Sequence, residues 1–292
     1  MKKETKIWVA FIAVCIIWGS TYLAIRIGVS KMPPFMFAGT RFLAAGTLML
    51  LFAKIKGLEF PKKFIDIKNI AIVGLFLLLG GHGLVVWTEQ WVASGIASIL
   101  VATVPLFMAI IEFIKPNGIK LSIKGWTGLL VGFLGVVFLT LSKSSAVIDI
   151  KGTVFLLSAS LLWAMGSVYQ KTFEATGSTV THIGIEMVAG GISLLILGLS
   201  IGEASRFAFS TTGLAAMLYL IFFGSIIGYS SYIYVLQNWP SSKAGTYAYI
   251  NPIVAVILGA LILKEPLSLR MIFSTVIILF GVILVQTSKT NQ

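Results

Sequence analysis

The sequence is short of charge. Of its 292 residues only 11% are Asp, Glu, Lys or Arg, and just ten are acidic. Soluble domains carry about a quarter charged residues, so this chain does not read as a water-soluble enzyme. Cys15 is the only cysteine, which excludes an intrachain disulfide and a thiolate metal site. Gly-x-Gly-x-x-Gly and Walker motifs are both missing, so no ATP-driven step is expected. There is no carboxylate cluster, no His-x-x-x-His and no nucleophile beside a base, which argues against a lipid-modifying membrane enzyme. Nothing in the sequence asks for a cofactor, a metal or an obligate protein partner.

What is present is apolar. Residues of the apolar and aromatic types make up 58% of the chain, more than one globular core of this size can hide. A membrane-spanning helix needs about 20 apolar residues. Windows of that kind fall at 7–29, 34–53, 69–91, 95–114, 123–142, 152–170, 180–201, 212–237, 244–263 and 269–287. None alternates with period two, so helices rather than barrel strands must satisfy the backbone in lipid. The expected fold is an all-α integral membrane protein of ten transmembrane helices, with membrane lipid as its solvent. The first window lacks a small-x-small cleavage site and runs too long for a signal peptide. It is expected to stay as the first span.

The net charge of +12 follows from topology rather than from nucleic-acid binding. With the amino terminus inside, Lys31, Lys143, Lys151, Arg206, Lys264 and Arg270 face out, and Arg26 and Arg41 lie in spans. That leaves 14 of the 22 cationic residues on the inner side. The positive-inside rule then places both termini in the cytoplasm of a cell-membrane protein.

The two halves resemble each other. Trp18 aligns with Trp163, Gly39 with Gly184, Ala44 with Ala189 and Gly46 with Gly191, all 145 residues apart. Ser94, Ala97 and Pro105 match Ser241, Ala244 and Pro252 at 147, and Gly135-Val136 matches Gly281-Val282 at 146. The expected division is one five-helix repeat over 1–145 and a second over 146–292. Five is odd, so the second copy is inverted, a pattern of secondary transporters whose solute path lies between the halves.

Several motifs carry a family resemblance. They include Ile17-Trp18-Gly19-Ser20-Thr21-Tyr22, Arg41-Phe42-Leu43-Ala44-Ala45-Gly46, Val101-Ala102-Thr103-Val104-Pro105, Gly224-Ser225-Ile226-Ile227 and Tyr247-Ala248-Tyr249-Ile250-Asn251-Pro252. These resemble the EamA family of the drug/metabolite transporter superfamily, closest to its YedA-like branch. The resemblance implies ten helices in two inverted repeats and export of small metabolites or drugs. It fixes no substrate. One departure stands out: the second half carries Lys264-Glu265-Pro266 after its fourth span, where the first half has Pro116-Asn117-Gly118.

Ionisable groups inside spans are expensive and need a partner or a watery cavity. His82 and Glu89 lie seven apart on the third span, and Glu186 lies four after His182 on the seventh. His82, Glu89 and Glu186 are the candidate proton carriers. The plainer reading makes His82 a packed histidine and Glu89 a solvated helix end. Arg41 is the repeat counterpart of Glu186, yet their depths argue against contact, and each is expected to satisfy a loop or a neighbouring helix. Glu112 beside Lys115 reads as an ion pair at the rim.

Trp8, Trp91, Trp126 and Trp239 sit near span ends as interface anchors, whereas Trp18 and Trp163 fall near mid-span. Six of the eight tyrosines lie between Tyr219 and Tyr249. Pro105 and Pro252 are expected to break their helices, with Pro252 freeing the carbonyl of Tyr247 beside the amide of Asn251. The candidate solute site is therefore Trp18, Trp163, Tyr229, Tyr232, Tyr247 and Asn251, a lining suited to amphipathic or cationic small molecules. The expected function is a secondary transporter that exports small organic solutes by alternating access. An uncoupled facilitator is the alternative.

Overall fold

In the computed structural model the described residues are 2–30, 32–92, 97, 100–116, 118, 120–141, 150–208, 210–263 and 269–291. Within them, no side chain is described at 139–141, 255, 256, 259–263, 270, 271, 290 or 291. Lys31, Ser94, Lys143, Lys264-Glu265-Pro266 and the expected repeat boundary at 145/146 lie outside the described residues. The helices are α1 (Lys3–Val29), α2 (Pro34–Ile55), α3 (Phe64–Thr88), α4 (Val104–Ile114), α5 (Ile123–Leu141), α6 (Ile150–Tyr169), α7 (Thr179–Ser200), α8 (Thr211–Asn238), α9 (Ser241–Gly245), α10 (Tyr247–Leu263) and α11 (Leu269–Gln286). Among the described residues six of these, α1, α2, α3, α6, α7 and α8, are long and apolar enough to cross a membrane.

The helices are apolar on both faces, as lipid requires. On α1, Phe11, Val14, Cys15 and Ile25 turn inward, while Val9, Ile12, Ile16, Leu23 and Ile27 are left exposed. An exposed stripe of that length would aggregate in water.

Glycine sets the closest approaches. The most extensive pairings are α2 with α7 and α5 with α11. A Cβ at Gly39 would lie 3.0 Å from Gly191 O, and one at Gly46 would lie 2.8 Å from Gly184 O. Backbones in such contact tolerate no side chain. Further extensive pairings are α1 with α8 and α10, α6 with α3 and α4, α2 with α8, α7 with α3, and α4 with α9. This set maps onto itself when α1, α2, α3, α4 and α5 are exchanged for α6, α7, α8, α9–α10 and α11.

Two features depart from the sequence expectation. Leu75–His82 of α3 and Leu220–Tyr229 of α8 are wound as π-helix, and the two stretches begin 145 residues apart. Lys120–Leu121 also pairs antiparallel with Thr290–Asn291, a short ribbon where only loops were expected. The prolines act unequally. Pro105 starts α4 after a turn at Ala102-Thr103, so it does mark a break. Helix α10 runs through Pro252 without interruption, and the break in that span falls earlier, at Thr246.

Candidate functional site

The two mid-span tryptophans meet. Their rings are 5.5 Å apart and edge-on at 81°, with Tyr247 4.9 Å from Trp18. Each indole N–H has an acceptor: Trp18 Nε1 donates to Gly224 O at 3.0 Å, and Trp163 Nε1 to Tyr232 Oη at 3.1 Å. Tyr232 Oη also contacts Ser167 Oγ at 2.5 Å. A buried indole or phenol left without such a partner would be costly, so this aromatic group is rigidly braced.

The group faces a cavity of about 80 Å³. Trp18, Trp163, Tyr229, Tyr247 and Asn251 line it, while Tyr232 is not on the lining. Its walls come from both halves of the chain. Thr21, Tyr22 and Ile25 of α1 form one side, and Leu78, Gly81, His82 and Val85 of α3 another. The π-helical stretches supply Leu78, Gly81 and His82 from α3 and Gly224 and Tyr229 from α8, as such windings often do at functional sites. Asn251 ties α10 to α1. With its nitrogen facing the acceptors, Nδ2 donates to Tyr247 O at 3.2 Å and to Cys15 O at 3.3 Å, leaving Oδ1 for the Tyr22 hydroxyl. Four residues before Pro252 is Ala248, so the carbonyl without a helical amide donor is Ala248's. The Tyr247 carbonyl has the Asn251 amide instead.

A second cavity, of about 500 Å³, opens at the end of the bundle that carries the N-termini of α3 and α7 and the C-termini of α6 and α8. Glu186 is on its wall with Gln170, His182 and Gln237. Glu186 is 1% exposed, and its oxygens accept from Gln170 Nε2 at 3.1 Å and from Tyr229 Oη at 2.9 Å. Tyr229 lines the first cavity and Glu186 the second. A single hydrogen bond therefore joins the two walls.

The ionisable residues fall into different roles. Arg41 and Glu186 do not touch: Arg41 Nε donates to Ser225 Oγ at 2.9 Å and Nη1 lies 3.2 Å from His82 Nε2. A guanidinium has no acceptor, so that contact requires His82 Nε2 to accept. His82 also packs edge-on against Phe42 at 5.0 Å. Glu89 is not the solvated helix end of the plainer reading. It is buried at the end of α3, within the field of Arg26, and neither carboxylate oxygen has a hydrogen-bond partner among the described residues. Glu112 is not a rim ion pair either. It is 4% exposed, and Oε1 accepts the Ser241 amide at 3.2 Å at the start of α9.

Sequence reading overlooked Tyr22, Thr21, Ser225 and Gln170, and it did not place Arg41 on the cavity wall. The tyrosine cluster divides. Tyr249 donates to Leu129 O at 3.0 Å and Tyr219 meets Ser20 Oγ at 2.6 Å, both as ties between helices away from the cavity lining.

The profile of the EamA-like transporter family matches residues 5–141 and again 150–287. The chain is 41% identical over 281 residues to YedA of Escherichia coli K12, an uncharacterized inner membrane transporter by name, covering 96% of this chain and 90% of that one. It is 27% identical to the uncharacterized transporter YoaV of Bacillus subtilis, over 95% of each chain. One protein crystal structure, with 16% sequence identity, superposes with a TM-score of 0.78 over 97% of this chain and 98% of its own. That last likeness concerns the fold alone.

Proposed function

The chain belongs to the EamA-like transporter family, and from that premise we propose a secondary transporter that exports a small organic solute across the cytoplasmic membrane by alternating access. It is a multi-pass membrane transporter, and its family is not one of enzymes. The observation that carries the reading is the pair of cavities at opposite depths, separated at Tyr229 and Glu186. Alternating access needs a closed layer on one side of the solute and an open path on the other. The aromatic cavity is the solute site, and the layer below it is the barrier.

Two inverted five-helix repeats are part of this reading. Support comes from the family profile matching twice, from π-helical stretches 145 residues apart and from pairings that survive exchange of the halves. Under that symmetry the bundle has ten spans and both termini are cytoplasmic, since the lysine-rich Lys54–Lys68 segment lies at the end holding the second cavity. Reporter fusions after Lys62 and Gly177 should register inside and a fusion after Arg206 outside. Reversal of the Lys62 fusion would overturn the orientation.

The cavities themselves can be tested by thiol labelling in a Cys15→Ser background. Val85→Cys, on the first cavity wall, should react with an impermeant thiol reagent from outside. Thr179→Cys, on the second, should react from inside. Saturating solute should raise one rate and lower the other. Simultaneous access to both positions from one side would describe a channel and would sink the alternating-access reading.

A further inference from the structure

We propose that the first cavity receives solutes bearing one negative charge on an apolar or aromatic body, with Arg41 holding the charge. This rests on the cavity reading above and adds the class of solute to it. Arg41 is 3% exposed and forms part of the cavity wall. Its guanidinium carries five N–H donors and keeps its charge in any ordinary protein setting. The structure shows acceptors for two of them, Ser225 Oγ and His82 Nε2, and the Phe42 ring face lies 4.5 Å from Cζ. All three partners are neutral. Among the described residues no carboxylate is bonded to Arg41, because the symmetry-related Glu186 is held by Gln170 and Tyr229 at the other cavity.

A cation buried with neutral partners is costly, and the cost is relieved by an opposite charge with good geometry. Here the counter-charge has to enter with the solute. The remaining N–H donors suit a carboxylate, which takes two parallel bonds from a guanidinium. Gly224 closes in on the guanidinium, since a Cβ there would lie 3.3 Å from Arg41 Nη2 and 3.2 Å from Thr21 Cγ2, and both Arg41 and Gly224 belong to the cavity wall. Trp18 donates to the carbonyl of that same glycine. The anion-binding end and the aromatic wall are thus neighbours, so one small molecule can reach both. The same guanidinium opposes amines, which the tryptophans and tyrosines alone would have favoured.

Three probes of one shape decide the matter: phenylacetate, phenylacetamide and phenethylamine, which are anionic, neutral and cationic. Calorimetry on the purified full-length chain in detergent should show phenylacetate binding about ten- to 100-fold more tightly than the amide, with the amine weakest. Arg41→Gln should erase the difference between acid and amide, and Arg41→Lys should retain part of it. If Arg41→Gln does not fold, the wild-type charge series and Arg41→Lys still decide. The proposal is overturned if the wild type binds amide or amine as well as the acid, or binds no phenylacetate. Preserved preference in Arg41→Gln overturns it too. Trp163→Ala separates this idea from the cavity reading. If that change weakens the probes while no charge preference exists, the cavity stands and the anion assignment falls. If it affects none of them, the cavity reading falls and takes the assignment with it.

Discussion

In proteoliposomes carrying a pH gradient, Glu186→Gln should abolish uphill accumulation of solute while downhill exchange persists. One coupled proton converts each pH unit into about 1.4 kcal/mol, or about a tenfold solute gradient, so the expected change is from tenfold accumulation to none. Of the three candidate carriers, Glu186 is the one placed for the task. It faces the second cavity and bonds the hydroxyl of Tyr229, which faces the first. A carboxylate that gains a proton loses its strongest reason to hold that hydroxyl. The bond that joins the two cavity walls is then the bond that protonation loosens. Glutamine keeps the size of the side chain but removes the titration.

The other two candidates are worse placed. His82 accepts from Arg41 at 3.2 Å, so a proton on Nε2 would remove the acceptor and set two cations side by side. Glu89 is not on the lining of the first cavity. His82→Ala should therefore cost solute affinity more than coupling. Wild-type accumulation that survives Glu186→Gln would clear this carboxylate of the role, and a wild type that shows no pH-driven accumulation would leave uncoupled facilitation as the better account.

Much of the fold was legible because lipid imposes a simple rule. Each apolar window had to become a helix, and most window edges agree with the helices to within a few residues. The π-helical stretches were not legible, since no residue type in Leu75–His82 announces one extra residue per turn. Trp18 and Trp163 could be paired from sequence because two indoles at matching positions are rare. Tyr232 falls off the cavity lining because its face depends on the winding just before it, and Leu220–Tyr229 rotates less per residue than an α-helix would. Arg41 was judged by depth and by its symmetric partner, which is sound for excluding Glu186 but silent on what else is near. Glu112 was misread for a different reason. Its partner is the Ser241 amide, 129 residues away, and no local pattern can show a helix start arriving from that distance.

The aromatic wall gives the second large expected effect. Trp163→Ala removes the edge-on partner of Trp18 and a face of the cavity. Losing a desolvated stacking partner costs about 1–3 kcal/mol, or roughly five- to 150-fold in solute affinity. Asn251→Ala should weaken binding comparably, for a mixed reason. It removes the amide that bonds Tyr247 O and Cys15 O, so α10 and α1 lose a tie as well as a polar group on the wall. Both variants should also lose thermal stability. Asn251→Ala should melt earlier than the wild type, since the buried side-chain tie between α10 and the Cys15 carbonyl of α1 is lost. Trp163→Ala should do so too, because it empties a buried site between Trp18, Tyr229 and Tyr232. Trp126 packs against Phe113 at 6.5 Å, remote from the cavity lining, and Trp126→Ala should leave affinity alone. Equal solute affinity in all three variants and the wild type would mean that these rings only pack, and the solute would then have to be sought at the second cavity, beside Glu186 and His182.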